Sequence, residues 1–233
     1  MEQIKYDGKD VSVVIRTKNE ERWIGHSVQS ILDNLEKPEI IIIDNNSSDN
    51  TLGIINYFIQ DPLLNKEKKS NNYCDIKIQK ISKYSPGKAL NLGVKLSNRK
   101  YILILSAHCE LKKINLKKHF KDLDKFVGIF GNQNPLWNGK KIAKRYLWSH
   151  FDDKNQSINM FSELENRFFF HNAASIFKRK TLIKYPFNEI LAGKEDRYWI
   201  NDLVQKKKSF LYDPELEVSH HYTENGNTWK GLG

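Results

Sequence analysis

Between residues 11 and 105, short runs of aliphatic and β-branched residues alternate with amphipathic stretches, and this alternation limits the available folds more than any other feature. Val11–Ile15, Glu39–Asp44, Ile76–Ile81 and Tyr101–Leu105 read as strands. The runs at Ile40–Ile43 and Tyr101–Leu105 are continuously apolar, the pattern of a strand covered on both faces. The segment from Trp23 to Leu35 places Ile24, Val28, Ile31, Leu32 and Leu35 at helical spacing. Thr51–Gln60 carries Leu52, Ile55, Phe58 and Ile59, and Ala89–Leu96 reads as a short third helix. Buried strands separated by helices imply a parallel sheet with helices on both faces, half of a nucleotide-binding type of α/β fold.

The second half has a different texture. Val127–Phe130 and Ala173–Phe177 read as strands, joined by a long aromatic-rich connection with Trp137, Tyr146, Trp148, Phe151, Phe161 and Phe168–Phe170. Most of those rings are expected in the core. Glu195–Lys207 reads as a helix, and Ser209–Tyr212 and Leu216–His220 as two further strands. The tail from Tyr222 to Gly233 is polar, holds three glycines and reads as a mobile end. No linker-like shift in composition divides the chain, so a single domain is expected.

Composition removes several classes of function. With 39% hydrophobic and 28% charged residues, the 233-residue chain is not intrinsically disordered. No apolar run approaches the ~20 residues of a membrane helix, and the polar residues around Met1 do not form a leader. Cys74 and Cys109 are too few for a disulfide framework, which fits a reducing cytoplasm. The 38 basic against 28 acidic residues give 38 − 28 = +10, carried by 31 lysines and 7 arginines. Base recognition favours the arginine fork, and no zinc-finger spacing accompanies the lysine clusters, so nucleic acid is not the expected partner. Most clusters read as solvated faces, and attraction to anionic lipid or a phosphate-bearing substrate is the second reading.

In open α/β sheets, ligands bind beyond the carboxyl ends of the strands, which selects four segments. The first strand ends in Arg16-Thr17-Lys18-Asn19-Glu20 and the second in Asp44-Asn45-Asn46-Ser47-Ser48-Asp49. The third is followed by Tyr84-Ser85-Pro86-Gly87-Lys88 and the fourth by Ser106-Ala107-His108-Cys109-Glu110. Each has a plainer reading. Asn45–Asn50 is also a turn with Ser48 or Asp49 as a helix cap. Gly87 also fits a tight turn, Lys88 a solvated helix start, His108 a hydrogen-bonded structural histidine, and His220-His221 the end of a surface strand. Four polar ends in one sheet exceed what turns alone require.

In this order the segments resemble the family 2 glycosyltransferases of the GT-A fold, from residue 11 to about residue 221. Val11–Glu21 is similar to the family's opening strand and nucleotide loop, and Ile43–Thr51 to its acidic second-strand motif. Gly87-Lys88-Ala89-Leu90-Asn91-Leu92-Gly93 resembles the glycine/basic/asparagine segment that lies along the donor. Ser106-Ala107-His108 stands where the family carries a metal-binding Asp-x-Asp. Gly193-Lys194-Glu195-Asp196, followed by Arg197-Tyr198-Trp199, resembles the Glu-Asp motif that opens the acceptor-side helix. The Ser-Ala-His variant, with Arg16-Thr17, is similar to a rhamnosyltransferase-like branch.

The resemblance implies one GT-A domain over residues 1–233, Rossmann-like, with a mostly parallel central sheet flanked by helices. Residues 11 to about 110 would form the nucleotide-sugar half and residues 111 to about 221 a smaller acceptor-side half. Residues 222–233 would form a mobile tail or a lid carrying Trp229 and Lys230. It implies inverting transfer of a hexosyl or deoxyhexosyl group from a nucleotide-diphosphate sugar. The acceptor would be a hydroxyl of a saccharide or lipid-linked molecule in bacterial surface polysaccharide synthesis. Asp196 would be the general base and Glu195 its support; a carboxylate pair favoured by the helix dipole is the plainer alternative. Thr17, Asn19, Asp44 and Asn45 would frame base and ribose, with Ser106 near the ribose, Lys88 facing the diphosphate and Asn91 steadying its loop.

The metal position departs from the family pattern, because Ser106 and His108 replace two aspartates. Imidazole adds no negative charge, so Mn²⁺ or Mg²⁺ would be held weakly, with His220 or His221 as a further ligand and diphosphate oxygens completing the shell. A metal-independent site, neutralised by Lys88, Lys230 and protonated histidines, stays open. The expected location is cytoplasmic, with peripheral contact to the inner face of the membrane, and a homodimer is compatible with the chain. Two alternatives also stand: a catalytically silent nucleotide-sugar-binding module, and a nucleotidyltransferase. The absence of glycine from Arg16–Glu21 counts against the latter.

Overall fold

The computed structural model describes residues 5–60, 74–141, 154–163 and 165–223. Its first half contains β1 (Tyr6–Asp7), β2 (Val11–Thr17), α1 (Ile24–Asn34), β3 (Leu35–Glu36), β4 (Glu39–Asp44), α2 (Thr51–Gln60), β5 (Asp75–Lys80), α3 (Pro86–Leu96) and β6 (Tyr101–Leu105). There follow β7 (Cys109–Lys113), α4 (Leu116–Asp122), β8 (Ile129–Trp137), β9 (Lys140–Lys141), β10 (Ser157–Ile158), β11 (Phe161–Ser162) and β12 (Arg167–Phe168). The described part closes with β13 (Ala174–Lys178), α5 (Arg179–Lys184), α6 (Glu195–Gln205) and β14 (Leu211–His221).

One ten-stranded sheet runs β10-β14-β8-β13-β6-β2-β4-β5, with β7 also on β14 and β9 also on β8. The strands β5, β4, β2 and β6 are mutually parallel, and their register aligns Thr17 with Asp44 and Asp44 with Lys80. The polar ends selected from the sequence therefore lie along one edge. Beyond β6 the sheet is mixed: β13 runs antiparallel to both β6 and β8, while β14 is parallel to β8. Parallel pairing belongs mainly to the nucleotide-type half.

Alternation along β2 explains the layers. Val11, Val13 and Ile15 pack with Ile24, Val28 and Ile31 of α1, whereas Val14 points to the other face with Leu90 and Val94 of α3. Each fully buried aliphatic side chain contributes roughly 1.5–3 kcal/mol. Helix α3 lies so close to the sheet that a Cβ at Gly93 would stand 2.4 Å from a Val14 methyl. The second face continues into the aromatic cluster of Phe130, Phe169, Phe170, Phe177, Phe187, Trp199, Phe210 and Tyr212, all buried. Most of the described rings are thus core, while Trp137 and Phe161 are exposed. Tyr146, Trp148 and Phe151 lie outside the described residues.

Several boundaries differ from the sequence reading. Helix α3 starts at Pro86 rather than Ala89, because Ser85 caps it by accepting the Lys88 N–H and proline fits the first turn. Leu35 leaves α1 and turns extended to pair with Tyr6 of β1. Cys109 and Glu110, read within the polar end Ser106–Glu110, begin a further strand, Cys109–Lys113, on the edge of β14. The two late strands are one, Leu211–His221, whose register against β8 shifts between Asp213 and Glu217, around Pro214. At that bulge a Cβ on Gly131 would stand 1.9 Å from the Leu216 carbonyl oxygen, so only glycine fits. Cys74 and Cys109 are buried thiols, and no described helix is long and apolar enough to cross a membrane.

Candidate active site

The loops after β2 and β4 are stitched together. Asn19, in the left-handed region at φ 53°, donates its N–H to Ser47 Oγ (2.9 Å) and accepts from the Ser48 N–H (2.8 Å) through Oδ1. Glu20 N–H donates to Thr51 Oγ1 (2.8 Å), and Glu21 exchanges bonds with Asp49 and Asn50. Asp44 is buried, and its carboxylate accepts the Ser47 hydroxyl (2.6 Å) and N–H. Asn45 N–H donates to the Thr17 carbonyl (2.9 Å). The structure therefore places Asn19 and Asp44 in the framework of the two loops. Thr17 Oγ1 is buried there without a hydrogen-bond partner among the described residues.

The start of α3 forms the next wall. Lys88 sits half-buried in its first turn. Gly87 is pressed against the segment before α6, where a Cβ would stand 2.3 Å from the Asn188 carbonyl oxygen. Ser85 Oγ donates to the Glu189 carbonyl (2.5 Å). Asn91 donates to the Phe187 carbonyl (2.9 Å) and accepts the Phe187 N–H (3.0 Å). Its amide is thus spent on positioning residues 187–189.

That segment leads into the carboxylate pair. Lys194 adopts φ 58° at the head of α6, and Glu195 and Asp196 occupy its first turn, where the helix dipole favours negative charge. Asp196 Oδ2 accepts the Asn172 N–H (3.1 Å), and Oδ1 the Arg197 N–H (2.8 Å). The neighbouring Ala173 carbonyl accepts the Ser106 N–H (3.1 Å), so Asp196 is tied through Asn172–Ala173 to the end of β6. Glu195 is buried, with Oε1 3.0 Å from Nη1 of Arg16 at the end of β2. Burial pushes the Glu195 carboxyl up, Arg16 pulls it down, and the Asp196 charge pushes it up again; it lies above its ordinary value. Arg197 is held in turn by Glu165, at 2.7 Å.

The histidines divide into two groups. His108 Nδ1 lies 2.9 Å from Glu20 Oε1, and its ring stacks on that of His220 with centroids 4.9 Å apart. His220 is buried, its Nδ1 hydrogen-bonded to Gln133 Oε1. Burial first, then His108, His171 and His221, hold His220 well below its ordinary value, so it is neutral. Successive strand residues face opposite ways, and His221 instead meets Glu110 Oε1 at 2.5 Å and stacks on Trp23 at 3.8 Å. Of the two candidates for a further ligand beside His108, His220 stacks on it and His221 faces Glu110 and Trp23. Among the described residues no three His, Cys, Asp or Glu side chains are arranged to hold a metal. By themselves they do not fit a resident ion. Trp229 and Lys230 lie outside the described residues.

Arg16, Glu20, Asn172 and Gln133 take part in this arrangement although none was assigned a role from the sequence. Arg16 and Glu20 belong to a selected strand end, which was their signal. Nothing in the local sequence marks Asn172 or Gln133.

Comparison with known proteins bears on this geometry. The family model described as glycosyl transferase family 2 matches residues 12–185. A Campylobacter jejuni protein, GalNAc(5)-diNAcBac-PP-undecaprenol β-1,3-glucosyltransferase, is 26% identical over 228 residues, covering 94% of this chain and 67% of that protein. Among solved structures, S. aureus TarS in complex with UDP-GlcNAc superposes with a TM-score of 0.65 at 15% identity, covering 95% of this chain and 61% of that one. The mannosyltransferase PcManGT from Pyrobaculum calidifontis, in complex with GDP-Man and Mn²⁺, gives a TM-score of 0.61 at 16% identity, covering 93% and 58%. The chain thus spans about three fifths of these solved chains. At such identities they show the fold alone, which is the GT-A fold.

Proposed function

The chain belongs to glycosyl transferase family 2, and from that premise we propose that it moves a sugar from a nucleoside-diphosphate sugar to an acceptor hydroxyl with inversion at the anomeric carbon. The observation that carries this reading is the position of Asp196. It opens α6 and is tied through Asn172–Ala173 to the end of β6, beside the strand ends where an α/β sheet binds its ligand. A carboxylate there takes the proton of the acceptor hydroxyl as its oxygen attacks the anomeric carbon. The bond from that carbon to the diphosphate oxygen breaks on the opposite side, and the nucleoside diphosphate leaves with the electron pair. Lys88, in the first turn of α3, offsets the charge that develops on the departing diphosphate.

The acceptor is a saccharide or lipid-linked molecule of bacterial surface polysaccharide synthesis. The name of the Campylobacter jejuni relative, which specifies an undecaprenol-diphosphate-linked saccharide, supports this. The chain's net charge of +10 supports peripheral contact with an anionic membrane surface, where such acceptors lie.

A thermal-shift panel tests the donor reading, with UDP, dTDP, GDP, CDP and their sugars, each with Mn²⁺, Mg²⁺ or EDTA. A ligand that binds only the folded state raises the melting temperature by mass action. One base should give a selective shift, and its sensitivity to EDTA reads whether an ion is shared with the diphosphate. A flat panel with every donor would reject the binding of these nucleotide sugars, and with it both the transferase reading for them and a silent nucleotide-sugar-binding module.

A further inference from the structure

The proposed mechanism uses Asp196 as base and gives no part to the half-buried cation beside it. Arg16 is the last but one residue of β2, on the donor half of the sheet, yet its guanidinium crosses to α6 and stands 3.0 Å from Glu195. The two carboxylates of the first turn differ in their cationic partner: Glu195 meets Arg16 at 3.0 Å as well as the Asn172 side chain, whereas Asp196 accepts the N–H groups of Asn172 and Arg197. Among the described residues, the titratable groups facing the pair are Arg16 from β2, itself hydrogen-bonded by Tyr84 from the turn before α3, and Arg197 from α6, with Glu165 and Lys194 behind Arg197.

Resting on the reading of Asp196 as base, we propose that Arg16 is a positioning residue that keeps Glu195 ionised on its own partner, so that Asp196 alone accepts the proton. Two neighbouring carboxylates without a counter-charge share a proton, because like charges in a poorly hydrated site cannot both ionise. Glu195 is only 2% exposed, so water cannot take the place of the guanidinium. Its carboxyl already lies above its ordinary value with Arg16 in place. Removing the cation leaves two neighbouring carboxylates without the Arg16 counter-charge, the condition in which such a pair shares a proton. For part of the time that proton sits on Asp196, where it blocks the base. The Arg16 charge is itself favoured against its burial by Glu195, Tyr84 and Asp196, so cation and pair are mutually dependent.

The test compares the full chain with Arg16→Met, Arg16→Lys, Glu195→Gln and the double variant Arg16→Met/Glu195→Gln. Infrared spectroscopy at pH 7 reads the C=O stretch of a protonated carboxyl and needs no substrate. The band should appear in Arg16→Met and be absent from wild type, Arg16→Lys and the double variant, whose glutamine cannot share a proton. In parallel, UDP release from UDP-glucose or UDP-N-acetylglucosamine gives the pH profile of kcat. Its acid limb should move up by about a unit or more in Arg16→Met and return in the double variant, which a merely structural arginine would not produce. If Arg16→Met does not fold, Glu195→Gln decides: Arg16 then faces Asp196 alone and the acid limb moves down.

A missing band in Arg16→Met, a band that survives in the double variant, or an unmoved acid limb overturns the assignment. Turnover that persists in Asp196→Asn would instead overturn the base itself. The two failures are distinguishable, because the infrared arm reads the Arg16–Glu195 coupling whichever residue is the base.

Discussion

Replacing one carboxylate oxygen by an amide removes basicity while keeping shape, which isolates the role of Asp196. The Asn172 N–H now bonded to Oδ2 keeps an acceptor in the amide oxygen, at the cost of the local Arg197 N–H bond to Oδ1, so Asp196→Asn should fold and bind donor like the wild type. Its kcat should fall by roughly 10²–10⁴-fold, the usual contribution of a positioned base, with the donor KM little changed. Steady-state kinetics check this, and a raised KM with normal kcat would show that Asp196 binds rather than reacts. The sequence points to Asp196 through a local pattern, a charged pair followed by Arg197-Tyr198-Trp199 that resembles the family's Glu-Asp motif. Its partners were not legible. Asn172 contacts it through a backbone N–H, which any residue but proline supplies, and Arg16 reaches Glu195 across 179 positions of sequence (195 − 16).

Strands and helices were legible wherever burial imposes a period. Glu39–Asp44, Thr51–Gln60 and Tyr101–Leu105 begin and end where the apolar runs do, because each packs on both sides or along one stripe. The long β14 was not, since Pro214 and Glu215 interrupt its pattern at a bulge that only the Gly131 contact explains. Glu39 shows how a polar residue can join elements. It opens β4 almost wholly buried, accepts from the Ser12 hydroxyl of β2 (2.5 Å) and from Asn98 ahead of β6 (2.8 Å), and pairs with Lys77 of β5 (2.8 Å). Burial pushes its carboxyl up, but Lys77, Ser12 and Asn98 outweigh that and bring it down to about 2. A depressed native value means stability that is present above the unfolded value, about 4.3, and is lost as pH falls towards 2. Glu39→Gln should therefore be less stable by roughly 2–3 kcal/mol at pH 7. In urea titrations the deficit should shrink through pH 4 to 2, and a pH-independent deficit would assign the loss to packing alone.

The distribution of charge over the molecule separates two populations that the sequence presents as one. Lys112, Lys113, Lys118 and Lys178 are paired with Glu110, Glu215, Asp213 and Asp124. Lys140–Lys141, Lys180, Lys184 and Lys206–Lys208 are exposed. A lysine run looks the same in sequence whether or not a distant acid folds back on it, which is why the clusters could not be sorted beforehand. Exposed lysines near an anionic bilayer contribute about 1 kcal/mol each, and the field decays over about 8 Å at physiological salt. With a net charge of +10, binding to an anionic membrane should be electrostatic and reversible. The protein should sediment with phosphatidylglycerol-containing vesicles at low salt and release as ionic strength rises towards about 1 M, where screening falls to about 3 Å. Neutral phosphatidylcholine vesicles should retain little at any salt. Equal retention on both, or retention that salt does not reverse, would locate the contact in apolar insertion and remove the lysines from it.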